Sequence, residues 1–155
     1  MYEPARPEGS MNTLTQALSE FLDTNPVGVL ATTTPSRKPR QSLVYFARDG
    51  ERLLISTLDD RLKAQDVRRS GWASLCVMAH ESPFPSASFS GPAEIITENI
   101  GPPTAKIMQR IAQSPDPPEP MSDEALAEAG RVVLTITVER VTAVNYIDGG
   151  RTPQA

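Results

Sequence analysis

Three apolar runs decide the fold of this chain: Val27-Gly28-Val29-Leu30-Ala31-Thr32-Thr33-Thr34, Pro39-Arg40-Gln41-Ser42-Leu43-Val44-Tyr45-Phe46-Ala47 and Glu51-Arg52-Leu53-Leu54-Ile55-Ser56-Thr57. β-Branched and aromatic residues dominate them, and turn chemistry separates them: Thr34-Pro35-Ser36-Arg37-Lys38, then Asp49-Gly50. Connections this short leave no room for a crossover helix, so the expected arrangement is an antiparallel meander.

The rest of the chain extends that pattern. A helix is expected over 12–23, with Leu14, Ala17, Leu18, Phe21 and Leu22 on one face, stopped by Asn25-Pro26. A second helix is expected over 60–69, then strands at Trp72–His80 and Ala87–Thr97. Gly101-Pro102-Pro103 opens a third helix, where early prolines are tolerated and Ile107, Met108 and Ile111 are expected to face the core. A proline-rich loop over 114–120, a short helix near 122–129 capped by Ser122, and strands at Arg131–Val138 and Arg140–Ile147 complete the chain. Residues 1–11 and 149–155 read as tails around one domain at 12–148. About seven short strands without βαβ alternation point to a mainly β, antiparallel barrel with peripheral helices. Trp72–His80 lacks a charged face, so burial on both sides is expected there, under a helix or another subunit, with Cys76 a small buried hydrophobe.

Composition narrows the function. The chain has 155 residues and a formal charge of −4, which argues against general nucleic-acid binding. Cys76 is the only cysteine and His80 the only histidine, so neither a disulfide nor a cysteine-based zinc site is available, and a typical metal set is not expected around His80 and Glu81. No apolar run approaches the roughly 20 residues that span a bilayer, and no signal-peptide pattern opens the chain. A cytoplasmic location with no membrane partner is the expectation.

Against that acidic background, positive charge gathers locally. The strand ending in Ser56-Thr57 runs through Leu58-Asp59-Asp60 into a helix carrying Arg61, Lys63, Arg68 and Arg69. Hydroxyls at a strand end, beside free N–H groups and cations at a helix start, are the elements of a phosphate cradle. The competing reading is a solvated helix face with Asp59 and Asp60 as its caps.

These residues and several others resemble the split β-barrel flavin-binding family related to pyridoxamine 5′-phosphate oxidase, and within it the oxidoreductases that use coenzyme F420. The resemblance spans about residues 12–147. It rests on Val27-Gly28-Val29-Leu30-Ala31-Thr32, Pro39-Arg40-Gln41-Ser42-Leu43-Val44, Leu54-Ile55-Ser56-Thr57 and Lys63-Ala64-x-x-Val67-Arg68-Arg69. Ala73-Ser74-Leu75-Cys76-Val77, Phe89-Ser90-Gly91-Pro92-Ala93-Glu94-Ile95 and Arg131-Val132-Val133-Leu134-x-x-x-Val138-Glu139-Arg140-Val141 continue it.

The resemblance implies a homodimeric, six- to seven-stranded split barrel with cofactors at the subunit interface. It implies that Ser56 and Thr57 offer hydroxyl or backbone donors, Lys63 is the main phosphate cation, and Arg61 adds a contact. Ser42 and Val44 would lie against the phosphate tail and ring. The implied activity is hydride transfer between reduced F420 and a small organic substrate; FMN chemistry and a non-catalytic flavin carrier are the alternatives. Two departures bear on this. The family's true oxidases have arginine where Ser42 stands, and a C-terminal motif with arginine and tryptophan that is missing from Arg151-Thr152-Pro153-Gln154-Ala155, which argues against vitamin B6 synthesis. Asp59 and Asp60 oppose a polyanionic tail unless Arg61 or Arg68 neutralises them. Arg68 and Arg69 otherwise read as surface or dimer-bridging residues, Trp72 as a packing or interface residue, Phe84 as a pocket wall, and Tyr45 or Tyr146 as proton sources.

Overall fold

A computed structural model describes residues 13–147. The tails expected at 1–11 and 149–155 fall outside the described residues. The elements run α1 (Gln16–Thr24), β1 (Val27–Thr33), β2 (Pro39–Tyr45), β3 (Ala47–Asp49), β4 (Arg52–Leu58), α2 (Leu62–Ser70), β5 (Trp72–Met78), β6 (Ser86–Ile96), α3 (Gly101–Ala112), α4 (Asp123–Glu128), β7 (Arg131–Thr137) and β8 (Arg140–Asn145). The strands form one curled antiparallel sheet, a split half-barrel, in the order β2-β1-β5-β6-β7-β4-β3, with β8 also on β6.

Both expected hairpins form, β1–β2 and β3–β4, but the meander breaks between them. β1 and β2 pair in full register, but β4 pairs with β7, from Arg52↔Thr137 to Leu58↔Arg131. Phe46 causes the divergence. Its side chain is fully buried and its N–H donates to the Pro26 carbonyl at 3.1 Å, so the chain turns there from one end of the sheet to the other. The single strand expected at Pro39–Ala47 thus becomes β2 and β3, and eight strands stand where about seven were expected.

Strand alternation puts Leu30, Val44, Phe46, Leu53, Ile55, Leu75, Val77, Phe89, Leu134 and Ile136 inside the curl, closed by Leu14, Leu18 and Leu22 of the first helix segment and by Val67 of α2. A second apolar layer, with Leu54 and Val133 on the opposite face, lies under Ile100 just before α3, Ile107 of α3 and Leu126 of α4. Ile111 is exposed, contrary to expectation, because the buried side of α3 runs through Gly101, Thr104, Ala105 and Ile107. Ser122 caps α4 as expected, accepting from the Ala125 N–H at 3.2 Å.

β5 is covered on one face only among the described residues. Ala73, Leu75 and Val77 are buried, whereas Trp72, Cys76 and Met78 are exposed on the outer face. Among the described residues nothing covers that side, and Cys76, expected to be a small buried hydrophobe, is exposed in the single chain. Along the neighbouring strands the outer face stays apolar or small: Leu43 and Tyr45 are exposed on β2, and Val29 lies between Leu43 and Cys76 in register.

β6 joins the two halves of the curl, pairing first with β5 and then with β7. Gly91 permits the crossing: a Cβ there would overlap the Thr137 carbonyl oxygen, so any side chain is excluded.

Candidate functional site

The divergence at Phe46 opens a seam in the barrel wall. β3 and β4 pair as Ala47↔Leu54, and extending that register past Phe46 would set Val44 against Thr57, Ser42 against Asp59 and Arg40 against Arg61. The strands separate instead, β2 remaining with β1 and β4 with β7. Thr57 and Val44 are buried along the seam, and Ser42 is partly buried. Of the six expected site positions, Val44 and Thr57 are thus buried, Ser42 shares the face of β2 that carries Val44, and Arg61 is exposed just before α2.

Ser56 does not share it through its side chain. Alternation turns its hydroxyl to the other face of β4, beside Val133, where the oxygen is buried without a hydrogen-bond partner among the described residues. Any donor that Ser56 contributes to the seam is a backbone one.

At the start of α2, Arg61 is the N-cap residue and gives no side-chain cap. The Ala64 and Gln65 N–H groups both donate to the Arg61 carbonyl, at 3.0 and 3.2 Å. The Leu62 and Lys63 N–H groups have no acceptor among the described residues, as expected for the first turn of a helix. Arg61 is exposed and Lys63 partly buried, and neither side chain has a carboxylate partner among the described residues. Burial, followed by the charge of Arg61, holds the Lys63 ammonium below the ordinary lysine pKa.

The two aspartates before the helix behave differently. Arg68 reaches back to the Asp59 carboxylate and donates to the Asp59 carbonyl at 3.2 Å, so the charge of Asp59 is neutralised within the chain. Asp60 is exposed, and its carbonyl accepts from the Gln65 side chain at 3.0 Å. Arg69 bonds Asp66 at 2.8 Å and the Thr33 carbonyl. Both arginines thus make bonds within this chain.

Asp66 escaped sequence reading. It is 1% exposed and accepts from Thr32 Oγ1 at 2.8 Å, Arg40 Nε at 2.7 Å and Arg69 Nη2 at 2.8 Å. Burial alone pushes its carboxyl up; the hydrogen bonds from Arg40, Arg69 and Thr32 and the charge of Arg40 outweigh it and hold the pKa below the ordinary carboxylate value. A signal was present in the sequence: Asp66 lies between Ala64 and Val67, the buried side of a short helix, and a charge there needs partners.

The remaining candidates lie elsewhere. His80 and Phe84 are exposed around the turn between β5 and β6, and no cluster of metal-ligating residues occurs among the described residues. A cleft of about 450 Å³ between α1, β3 and α3 is lined by Arg48, Lys106 and Arg110, all engaged structurally. Arg48 forms a two-point bridge to Asp23 at 2.9 and 2.7 Å, and Lys106 donates to the Arg48 carbonyl at 2.6 Å. Arg110 donates to the Phe46 and Leu22 carbonyls at 2.6 and 2.7 Å, with its guanidinium 4.7 Å from the Phe46 ring centre.

A curled antiparallel half-barrel with an open seam beside a basic helix start defines a known class, the split barrels. Residues 14–145 match the family model described as pyridoxamine 5′-phosphate oxidase, and the chain belongs to that family. Among solved structures it is similar to an F420 reductase, with TM-score 0.66 and 22% identity over 83% of this chain and 98% of the other. It is also similar to an FAD-binding protein from Mesorhizobium loti (TM-score 0.55, 21% identity, 79% and 86% covered). A third is HutZ, the heme storage protein from Vibrio cholerae (TM-score 0.58, 13% identity, 80% and 89% covered). At these identities the likeness is one of fold. No curated protein sequence matches the chain. No helix among the described residues is long and apolar enough to cross a membrane.

Proposed function

We propose that this protein is an oxidoreductase holding a phosphorylated deazaflavin, coenzyme F420, in the seam between β2 and the β4–α2 corner, at the interface of a homodimer. The observation that carries the reading is Lys63, a partly buried cation at a helix start with unused N–H groups and no carboxylate partner among the described residues. Such an arrangement is unfavourable by itself and is relieved by an anion. The pairing of Asp59 with Arg68 removes part of the objection to an acidic ligand.

In this reading Lys63, Arg61 and the Leu62 and Lys63 N–H groups hold the phosphate. Thr57 and the Ser56 backbone border it, and Ser42 and Val44 line the path to the ring. The bound cofactor supplies hydride for a small electrophilic organic substrate. The chain's own contribution is to orient the reactants, and Val44 limits water at the inner end of the seam. The exposed outer face, with Leu43, Tyr45, Trp72 and Met78, supports burial against a second copy, which would complete the pocket.

Titration of the purified protein with F420 and with FMN tests the reading. Tight F420 binding, followed by turnover on a panel of enones, quinones and nitro compounds, is the expected result. Tight FMN binding without F420 binding would move the assignment to an FMN enzyme, which the exposed carboxylate of Asp60 beside Arg61 favours. Cofactor binding with no turnover on any substrate would identify a carrier.

A further inference from the structure

Arg40 stands one residue into β2, directly across the ladder from Thr32, and both side chains reach Asp66. Arg69 serves one carboxylate oxygen of Asp66, while Thr32 and Arg40 share the other. Two guanidinium groups around one carboxylate leave a surplus positive charge. Arg40 uses only Nε in this contact, and its terminal nitrogens have no partner among the described residues. Its side chain is 31% exposed, against 2% for Asp66. Lys63 is three residues before Asp66 on α2, on the neighbouring part of the same helix face, and Arg40 lies on the same face of β2 as Ser42 and Val44.

We propose that Arg40 is a third cation of the seam, oriented by the buried Asp66, and that it determines specificity for the phosphorylated form of the ligand. This rests on reading the seam as a phosphate cradle. A guanidinium fixed at Nε presents a planar pair of donors suited to two phosphate oxygens, which a mobile lysine does not. Asp66 is a positioning residue: it removes Arg40's freedom before the ligand arrives, which reduces the ordering cost of binding.

The test uses the full chain and four probes: FMN and riboflavin, and F420 and its phosphate-free deazaflavin counterpart. Arg40→Gln should weaken binding of the phosphorylated member of the pair about tenfold, the scale of one charge-assisted contact, while leaving the unphosphorylated member unchanged. Asp66→Asn keeps the charge of Arg40 but releases its orientation, and should give a smaller loss with the same selectivity. If Arg40→Gln does not fold, Arg40→Lys keeps the charge without the fork and should still lose affinity selectively. Equal loss for both members, or no loss in an Arg40 variant while Lys63→Ala loses affinity, would make Arg40 a structural partner of Asp66 and overturn the proposal. Unchanged affinity in Lys63→Ala, or no binding of any probe by the unmodified protein, would overturn the cradle itself.

Discussion

Lys63 and Asp66 occupy successive turns of one short helix, and burial penalises the charge of both, with different outcomes. For Asp66, hydrogen bonds favour the charged form over the penalty of burial, so its folded pKa is depressed. Its stabilisation is present above the ordinary carboxylate pKa and is lost as pH falls through the folded value. Lys63 is penalised for its charge, so between its lowered pKa and the ordinary 10.5 the unfolded chain binds more protons. Its contribution to stability therefore rises with pH across that window. A phosphate ligand reverses the penalty. Binding should take up a proton near the lowered pKa, and affinity should fall as pH rises through it, below 10.5. Titrations in buffers of different ionisation heat would measure that uptake, and Lys63→Ala should abolish it. A pH-independent affinity in the unmodified protein would place the anion elsewhere.

At the scale of elements, the break between β2 and β3 depends on the contact of Phe46 with Arg110. Arg110 closes the end of α1 through the Leu22 and Asp23 carbonyls, accepts the Phe46 ring against its face, and bonds the Phe46 carbonyl. Arg110→Met would leave those carbonyls unpaired and should cost about 2 kcal/mol or more, read as a lower denaturant midpoint. Phe46→Ala, at a fully buried position, should cost about 3–5 kcal/mol. A smaller loss in both variants would mean that the seam is held open by other contacts. Most strands were legible from β-branched runs and turn residues, because those signals are local. The partner of β4 was not, since nothing within Glu51–Thr57 distinguishes pairing with β2 from pairing with β7. The opposite facing of Ser56 and Thr57 followed from alternation alone, yet placing both hydroxyls in one cradle overlooked it. Asp66 was hidden for a different reason: its partners Thr32 and Arg40 meet only after β1 and β2 pair.

At the scale of the whole molecule, an apolar outer face is left uncovered among the described residues. Leu43 is 76% exposed on the edge strand β2, paired with Val29, which also faces Cys76. Leu43→Glu places a charge there without touching the core or α2. Light scattering should show a dimer for the unmodified protein and a monomer for this variant, with cofactor affinity lost in parallel if the second copy completes the site. A monomer in both cases would confine the site to a single chain. Trp72, 46% exposed on β5, is the only tryptophan in the sequence. All indole emission from this protein therefore originates at the edge of that face. A shift of the emission to shorter wavelength with rising concentration, absent in Leu43→Glu, would follow assembly without any added label, using a chromophore already present where the two copies would meet.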